Sequence, residues 1–122
     1  MRVMVLVKAT VDSEKDVMPT QWTRDMLVAM GHFNEELRRA GVLIAAEGLT
    51  PSSRGKRIAF DGQKRTVIDG PFAQTDELVA GYWLWQVKSM DEALAWAQRC
   101  PNPMPVPSEI EIRPLYEAAD LP

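Results

Sequence analysis

The chain has 122 residues, of which 46% are hydrophobic and 25% charged, with a net charge of −3 and an isoelectric point near 5.1. This balance predicts one folded domain, and the acidic charge argues against nucleic acid as the main partner, because phosphate binding needs a basic surface. One cysteine excludes an intrachain disulfide, and one cysteine with one histidine argues against a structural zinc site within the chain.

The first half of the chain predicts a strand, a helix and a second strand. Val3 to Val7 is apolar at every position, which predicts a strand buried on both faces. A polar, loop-like stretch follows over residues 9–19, and Pro19-Thr20 then begins a helix, with Thr20 as its N-cap. The apolar residues of this helix recur at helical spacing as far as Ala40, and Gly41 provides the stop signal. Residues 42–46 predict a short second strand that ends at Glu47-Gly48.

The second half predicts a hairpin, a strand, a helix and a last strand. Residues 57–60 and 65–68 flank Asp61-Gly62, a strong hairpin signal. Residues 82–87 read as a strand with apolar side chains on both faces. Ser89 and Glu92 have capping-box spacing before a helix that ends at Cys100, and four prolines then predict an irregular connection. Alternation at residues 109–113 predicts a half-exposed strand.

With the hairpin treated as an insertion, this order is βαββαβ, the ferredoxin-like arrangement of an α+β protein. Two helices cover only one face of such a sheet, although strands 3–7 and 82–87 carry large apolar side chains on both faces. The second face therefore needs a cover. Packing against a second copy, sheet against sheet, meets that need and predicts a homodimer. Residues 101–122 are the alternative cover.

Three residues are candidates for acid–base chemistry. His32, the only histidine, is either a solvated residue at the rim of the helix or a general base oriented by Glu36 four residues later. Glu47 is either a surface carboxylate or, if it points inward, a carboxylate whose pKa burial would raise. Asp69, before Gly70-Pro71, either fixes a turn or is presented into a cleft.

Aromatic residues and proline give the candidates for ligand binding. Phe72 either fills the core or forms a ligand wall together with Pro71, and Trp83 either lines a cavity or fills it. The basic residues near Gly55 do not match a phosphate-binding loop, and no serine stands in a nucleophile elbow. We therefore expect no cofactor and no metal. No apolar run is long enough for a membrane span or a signal-peptide core, so we also expect no membrane partner and a cytoplasmic location.

The segment from Asp69 to Glu77, which reads DGPFAQTDE, resembles the DGPFAETKE signature of DGPF-type proteins, a branch of the YCII-related family. The likeness continues through residues 78–101 and extends backwards to His32, to Gly41 and to Glu47-Gly48. Residues 109–113 resemble the closing strand of the family. The resemblance thus covers almost the whole chain and identifies residues 1–122 as a single YCII-related domain.

This resemblance implies a ferredoxin-like fold and a dimeric α+β barrel, but little about activity. Some YCII relatives use a His–Asp pair in a pocket, and one is a dehydrochlorinase of an aromatic ring. His32 falls where that histidine would stand, whereas Ala40-Gly41 occupies the place of the acidic partner. Members of this branch are also often encoded near, or fused to, extracytoplasmic-function sigma factors, which implies a regulatory setting.

Two functional hypotheses follow from the sequence. The first is a homodimeric protein that binds a small organic or aromatic molecule between the first helix and the sheet, near residues 69–72. In its enzymatic form His32 is the base, and Asp69 or Glu47 is the second acid–base group. The second hypothesis is a non-catalytic interaction module associated with a sigma factor.

Overall fold

A computed structural model describes all 122 residues as a mixed α+β domain with two antiparallel sheets. The strands are β1 (Arg2–Lys8), β2 (Leu43–Gly48), β3 (Lys56–Asp61), β4 (Lys64–Asp69), β5 (Val79–Gln86) and β6 (Ile110–Pro114). The helices are α1 (Val11–Glu14), α2 (Thr20–Arg39) and α3 (Met90–Ala97), and short 3₁₀ turns cover Ser52–Arg54, Thr75–Glu77 and Ala118–Asp120. No helix combines the length and the apolar character that crossing a membrane requires.

The larger sheet has the order β2-β5-β1-β6, and each pair of neighbours is antiparallel. Its two outer strands are joined to the central pair through α2 and α3. This topology is consistent with the ferredoxin-like arrangement that the order of elements predicts. Strands β3 and β4 form a separate two-stranded sheet between β2 and β5 in the chain, and they are joined by a turn at Gly62-Gln63.

The core lies between the helices and one face of the larger sheet. Alternate residues of β1 and β5 point towards the helices, and they meet the buried face of α2 at Phe33 and Leu37. The ring centroids of Phe33 and Trp83 are 6.1 Å apart, at an interplanar angle of 88°, which is a favourable edge-to-face contact. The residues from the sheet are Val3, Val5, Val7, Trp83 and Trp85.

On the face of the larger sheet that points away from the helices lie the remaining alternate residues of the two central strands. We call this face the outer face. Met4 and Leu6 of β1 pair across the strands with Leu84 and Tyr82 of β5, so the four side chains lie on the same face. None of the four is fully buried in the single chain. The outer face is thus apolar but only partly buried within a single chain, and a second copy as its cover stays a prediction.

Several predicted boundaries are wrong. Residues 11–14, predicted as loop, form α1, where Thr10 caps the helix and its hydroxyl accepts from the Ser13 N–H at 3.3 Å. The N-cap of α2 is Pro19 rather than Thr20, and it has no side-chain cap. Strand β5 begins three residues before the predicted position. Strand β2 covers Leu43–Gly48 rather than residues 42–46, and its pairing with β5 has a register shift between Leu43 and Ala45.

The stop signal of α2 is confirmed. Gly41 has φ +73°, a conformation that favours glycine, and its N–H donates to the Arg38 carbonyl at 3.0 Å. The Val42 N–H donates to the Leu37 carbonyl at 2.9 Å and satisfies a second carbonyl at the helix end. The Ser89 cap of α3 is also confirmed, since its hydroxyl accepts from the Glu92 N–H at 3.2 Å.

Candidate functional site

A cavity of about 370 Å³ lies between α2 and the end of the sheet where β2 finishes and β5 begins. Met26, Met30 and Asn34, which are spaced four residues apart on one face of α2, line this cavity. Trp83 closes its inner end. The irregular segment before β6 supplies another wall. The volume falls within the range of small-molecule sites, about 300–1,000 Å³. The principal apolar residues of the lining are Met18, Met26, Leu27, Met30, Ala46, Trp83 and Met104.

Four methionines give this cavity an adaptable apolar surface. Methionine has an unbranched, polarisable side chain that adjusts to irregular shapes and makes favourable contacts with aromatic rings. Met104 is 4% exposed, and its sulfur accepts a hydrogen bond from the Thr10 hydroxyl at 3.3 Å, which fixes one of the four. The remaining lining methionines lie on α2 or just before it. The site is therefore suited to an apolar or aromatic molecule with few polar groups.

One hydrogen bond sets the polar character of the inner end. Trp83 Nε1 donates to Asn34 Oδ1 at 2.8 Å, and both residues line the cavity. This bond satisfies the indole N–H of Trp83, a residue that is 4% exposed, and it orients the amide of Asn34. The Asn34 NH₂ group makes no hydrogen bond within the chain, so it is a donor available to a ligand.

His32 lies outside the cavity. It is exposed on α2, one position before the buried Phe33, and it makes no hydrogen bond. Glu36, the carboxylate expected to orient it, instead pairs with Arg99, whose guanidinium stacks over Trp96 at 4.7 Å. The geometry therefore leaves His32 without the expected orienting contact.

Glu47 contributes to the cavity lining, but its side chain alternates away from the core. Its cross-strand partner is Tyr82, an outer-face residue, whereas the neighbouring Ala46 packs against the core. Glu47 is exposed and belongs to no ion pair. Of the two readings of this residue, the placement matches the surface carboxylate.

Asp69 ends β4, and its carboxylate accepts from Lys56 Nζ at 2.6 Å across the hairpin. Its side chain is 73% exposed. The structure thus does not bring Asp69, His32 and Glu47 together, because they lie on β4, on α2 and on the outer face of the larger sheet.

The rest of the segment Asp69 to Phe72 anchors the hairpin to the domain. The Gly70 N–H donates to the Gly55 carbonyl at 3.0 Å, and the Phe72 N–H donates to Ser52 Oγ at 3.0 Å. A Cβ on Gly70 would stand 1.7 Å from the Ser52 carbonyl oxygen, so this approach requires glycine. Pro71, which follows a cis peptide bond, is exposed and lines neither cavity.

The partner of this anchor is Glu14, from the short helix α1. Its carboxylate accepts from the Ser52 N–H at 2.8 Å and from the Ser52 hydroxyl. Phe72 is half-buried beneath the guanidinium of Arg57, which lies 3.8 Å from the ring centroid. These side chains line a second cavity that shares Leu49 and Pro51 with the first.

Cys100 behaves as an inert thiol. Its Sγ donates to the Pro101 carbonyl at 3.2 Å, and burial raises the pKa of the thiol to about 12. A thiol with that pKa is protonated at neutral pH and is a poor nucleophile. The structure contains no cluster of three or more histidine, cysteine or acidic side chains that could hold a metal ion.

The sequence did not reveal three features of this region. Asn34 had a detectable signal, because it stands four residues after Met30 as a polar residue within an apolar stripe. The Glu14–Ser52 contact joins residues 38 apart, and no spacing rule predicts it. Met104 lies in a proline-rich segment whose path cannot be inferred from periodicity.

Fold and site together define an α+β domain that has a ferredoxin-like sheet and an apolar cavity beside its long helix. Residues 1–118 match the YCII-related domain family, so the chain belongs to that family. A relative from Rhizobium meliloti (strain 1021), "Uncharacterized protein R00369", is 35% identical over 85 residues, which are 68% of each chain. Neither match specifies a ligand or a reaction.

Proposed function

We propose that this protein binds a small apolar or aromatic organic molecule in the cavity between α2 and the sheet. The observation that carries the proposal is a space of about 370 Å³ lined by methionines and Trp83, with one oriented amide at its inner end. Few polar groups in an otherwise apolar site are typical of pockets that bind small molecules. A ligand with one hydrogen-bond acceptor would match the free NH₂ group of Asn34.

Methionine methyl groups provide the test, because the chain has seven and only some line the cavity. The protein labelled at its methionine methyl groups is titrated with indole and with indole-3-carbaldehyde, and its NMR spectrum is recorded. We expect saturable shifts at Met18, Met26, Met30 and Met104. The internal controls, which lie outside the lining, are Met1, Met4 and Met90.

A pair of adjacent alanines gives a matched control. Ala46 lines the cavity, whereas Ala45 pairs with Leu84 on the outer face. Ala46→Leu should fill part of the space and weaken the titration, whereas Ala45→Leu should preserve it. Uniform small shifts at all seven methyl groups, or equal behaviour of the two variants, would refute the cavity as a binding site.

Acid–base catalysis is the narrower version of this proposal. It requires that His32→Ala, Glu47→Gln and Asp69→Asn each abolish turnover in a chain that still folds, and retained turnover in all three would reject the site. Binding alone predicts that His32→Ala and Asp69→Asn keep the affinity for the probe. The positions of these residues support binding, because His32 and Asp69 lie outside the cavity lining.

We also propose that the protein is a homodimer of the DGPF branch and that the outer face is its interface. What supports the interface is the row of incompletely buried apolar side chains on the central strands, including Leu6 and Leu84. What supports the branch is the DGPFAQTDE segment, whose Gly70 is required by its contact with Ser52. Sedimentation equilibrium tests the dimer, and a monomer at all concentrations would refute it.

The alternative is a non-catalytic module associated with an extracytoplasmic-function sigma factor. It depends on the resemblance of the DGPFAQTDE segment and has no further support in the cavity. It predicts that a sigma factor co-purifies with the chain from its own cells. It also predicts that the Ala46→Leu substitution has no effect on that association.

A further inference from the structure

The main cavity, the space of about 370 Å³ beside α2, has carboxylates as its only charged lining groups. They belong to Asp16 and Glu47, and no lysine, arginine or histidine lines the space. Both residues are exposed, so their carboxylates lie at the mouth, where water surrounds them. An anionic group of a ligand would therefore meet no opposite charge among the lining side chains.

The hydroxyl group of Ser13, which also lines the main cavity, is already engaged. It donates to the Thr10 carbonyl at 3.0 Å, and it accepts from the Thr10 N–H at 3.0 Å. The other lining hydroxyl is that of Tyr82, whose side chain lies on the outer face of the sheet. Neither hydroxyl can therefore orient a ligand at the inner end of the cavity.

The polar group that a ligand meets at the inner end is a hydrogen-bond donor. An indole nitrogen only donates, so the bond from Trp83 Nε1 to Asn34 Oδ1 at 2.8 Å also fixes the position of the Asn34 NH₂ group. This NH₂ group has no acceptor within the chain. It can receive an acceptor of the ligand, such as a carbonyl oxygen, but not a donor.

Charge decides between the two common oxygen acceptors, the carbonyl and the carboxylate. An ion that leaves water needs an opposite charge or several hydrogen bonds in compensation, and the inner end offers one NH₂ group. In the reversed orientation, the carboxylate of a ligand would instead approach Asp16 and Glu47, and like charges repel. A neutral carbonyl oxygen meets neither obstacle.

We propose that the main cavity binds uncharged aromatic carbonyl compounds, such as aldehydes, ketones or amides, and excludes the corresponding carboxylates. The carbonyl oxygen accepts from the Asn34 NH₂ group, and the ring packs against Trp83 and the lining methionines. This inference rests on the proposed binding function and adds the chemical class and the orientation of the ligand. The selectivity comes from the cost of an uncompensated charge rather than from shape.

Three probes of nearly equal shape separate charge from packing. Acetophenone carries a neutral carbonyl, benzoate has a carboxylate in place of the acetyl group, and α-methylstyrene has a CH₂ group in place of the carbonyl oxygen. In the methionine-methyl titration at pH 8, we expect saturable shifts with acetophenone and with α-methylstyrene. Benzoate should bind about a hundredfold more weakly than acetophenone, because its charge is not compensated.

Asn34→Asp tests the donor. This change keeps a side-chain oxygen for Trp83 Nε1 but removes the NH₂ group, so acetophenone should bind about tenfold more weakly at pH 8. The affinity for α-methylstyrene, which has no acceptor, should stay within about threefold of the parent value and thereby show that the cavity is intact. The matched control is Gln63→Glu, the same change from amide to carboxylate at an exposed turn residue outside the lining, and it should preserve both affinities.

The side-chain NH₂ resonances report the hydrogen bond directly, since the chain has only two asparagines. Acetophenone should shift the Asn34 resonances of the ¹⁵N-labelled protein more than α-methylstyrene does. The Asn102 NH₂ group, which already donates to the Val106 carbonyl at 2.9 Å, is the internal control. Asn34 resonances that stay unchanged while acetophenone binds would contradict the proposed orientation.

The outcomes distinguish this inference from the binding function on which it rests. If neither acetophenone nor α-methylstyrene gives saturable shifts, both are overturned. If only α-methylstyrene binds, or if benzoate binds as tightly as acetophenone, the cavity remains a binding site and the inference is overturned. Equal affinities of Asn34→Asp and Gln63→Glu for acetophenone would overturn it as well. If Asn34→Asp does not fold, the comparison of benzoate with acetophenone in the parent chain decides.

Discussion

Replacing Gly70 by alanine tests the role of the DGPF segment most directly. A Cβ at this position would stand 1.7 Å from the Ser52 carbonyl oxygen and 2.7 Å from its carbon, distances that no side chain tolerates. The obstacle is backbone, so it cannot rotate away as a side chain would. The chain on one side of the contact must therefore move.

The cost follows from the contacts that such a movement breaks. They are the hydrogen bond from the Gly70 N–H to Gly55, the bond from the Phe72 N–H to Ser52, and the stacking of Arg57 on Phe72. Each hydrogen bond contributes about 0.5–1.5 kcal/mol net. The exposed cation–π contact contributes about 0.5–1 kcal/mol. We therefore expect Gly70→Ala to lower the free energy of unfolding by about 1.5–4 kcal/mol.

Urea unfolding followed by tryptophan fluorescence measures this change, and Gly31→Ala is the control. Gly31 lies inside α2, and a Cβ there meets nothing within 4 Å. That substitution should raise the free energy of unfolding by about 1 kcal/mol, because alanine has the higher helix propensity. A Gly70→Ala protein within about 0.5 kcal/mol of the parent would show that the Ser52 contact does not constrain the segment.

Three further predictions concern the cavity, the thiol and the C-terminal ion pair. Asn34→Ala should cost about 1–3 kcal/mol in urea unfolding because it leaves the Trp83 indole without an acceptor, whereas Asn34→Asp should cost less. Cys100 should react with iodoacetamide at pH 8 about a thousandfold more slowly than a free thiol, since its pKa rises from 9.0 to about 12 in the folded chain. In urea, where the chain is unfolded, it should react at the rate of a free thiol. Arg2 lowers the pKa of Glu117, so their pair stabilises the fold above the unfolded pKa, and that contribution disappears as the pH falls through the folded pKa. As the pH is lowered, the free energy of unfolding should fall less for Glu117→Gln than for the parent chain. Equal decreases in the two proteins would contradict a stabilising Arg2–Glu117 pair.

Local patterns predicted most of the fold because they depend on neighbours in sequence. Asp61-Gly62 predicted the hairpin, whose turn is one residue later at Gly62-Gln63, and Gly41 predicted the end of α2. Helix α1 was missed because its four residues are held by a reciprocal cap between Thr10 and Ser13 and show no apolar periodicity. The beginning of β5 was missed because Val79 and Ala80 follow a polar turn without a boundary signal.

The candidate site was harder to predict, because it depends on contacts between distant parts of the chain. Trp83 was identified as a residue that either lines or fills a cavity, and it does line one. His32 was placed on the correct helix, but whether it faces a pocket depends on the path of the segments around α2. The direction of Glu47 depends on the pairing of β2 with Tyr82, which follows a register shift that no residue pattern announces.

The segment from Asp69 to Phe72 connects the β3–β4 hairpin to one wall of the main cavity. Asp69 pairs with Lys56 at the base of the hairpin, and the Phe72 N–H donates to Ser52, which is held by Glu14. Ser52 follows directly on Pro51, a residue of the main cavity lining. A substitution in the segment that displaces Ser52 should therefore also disturb this wall. Ligand affinity should accordingly be lower in Gly70→Ala than in the parent chain, and equal affinities in the methionine-methyl titration would show that the segment and the cavity act independently.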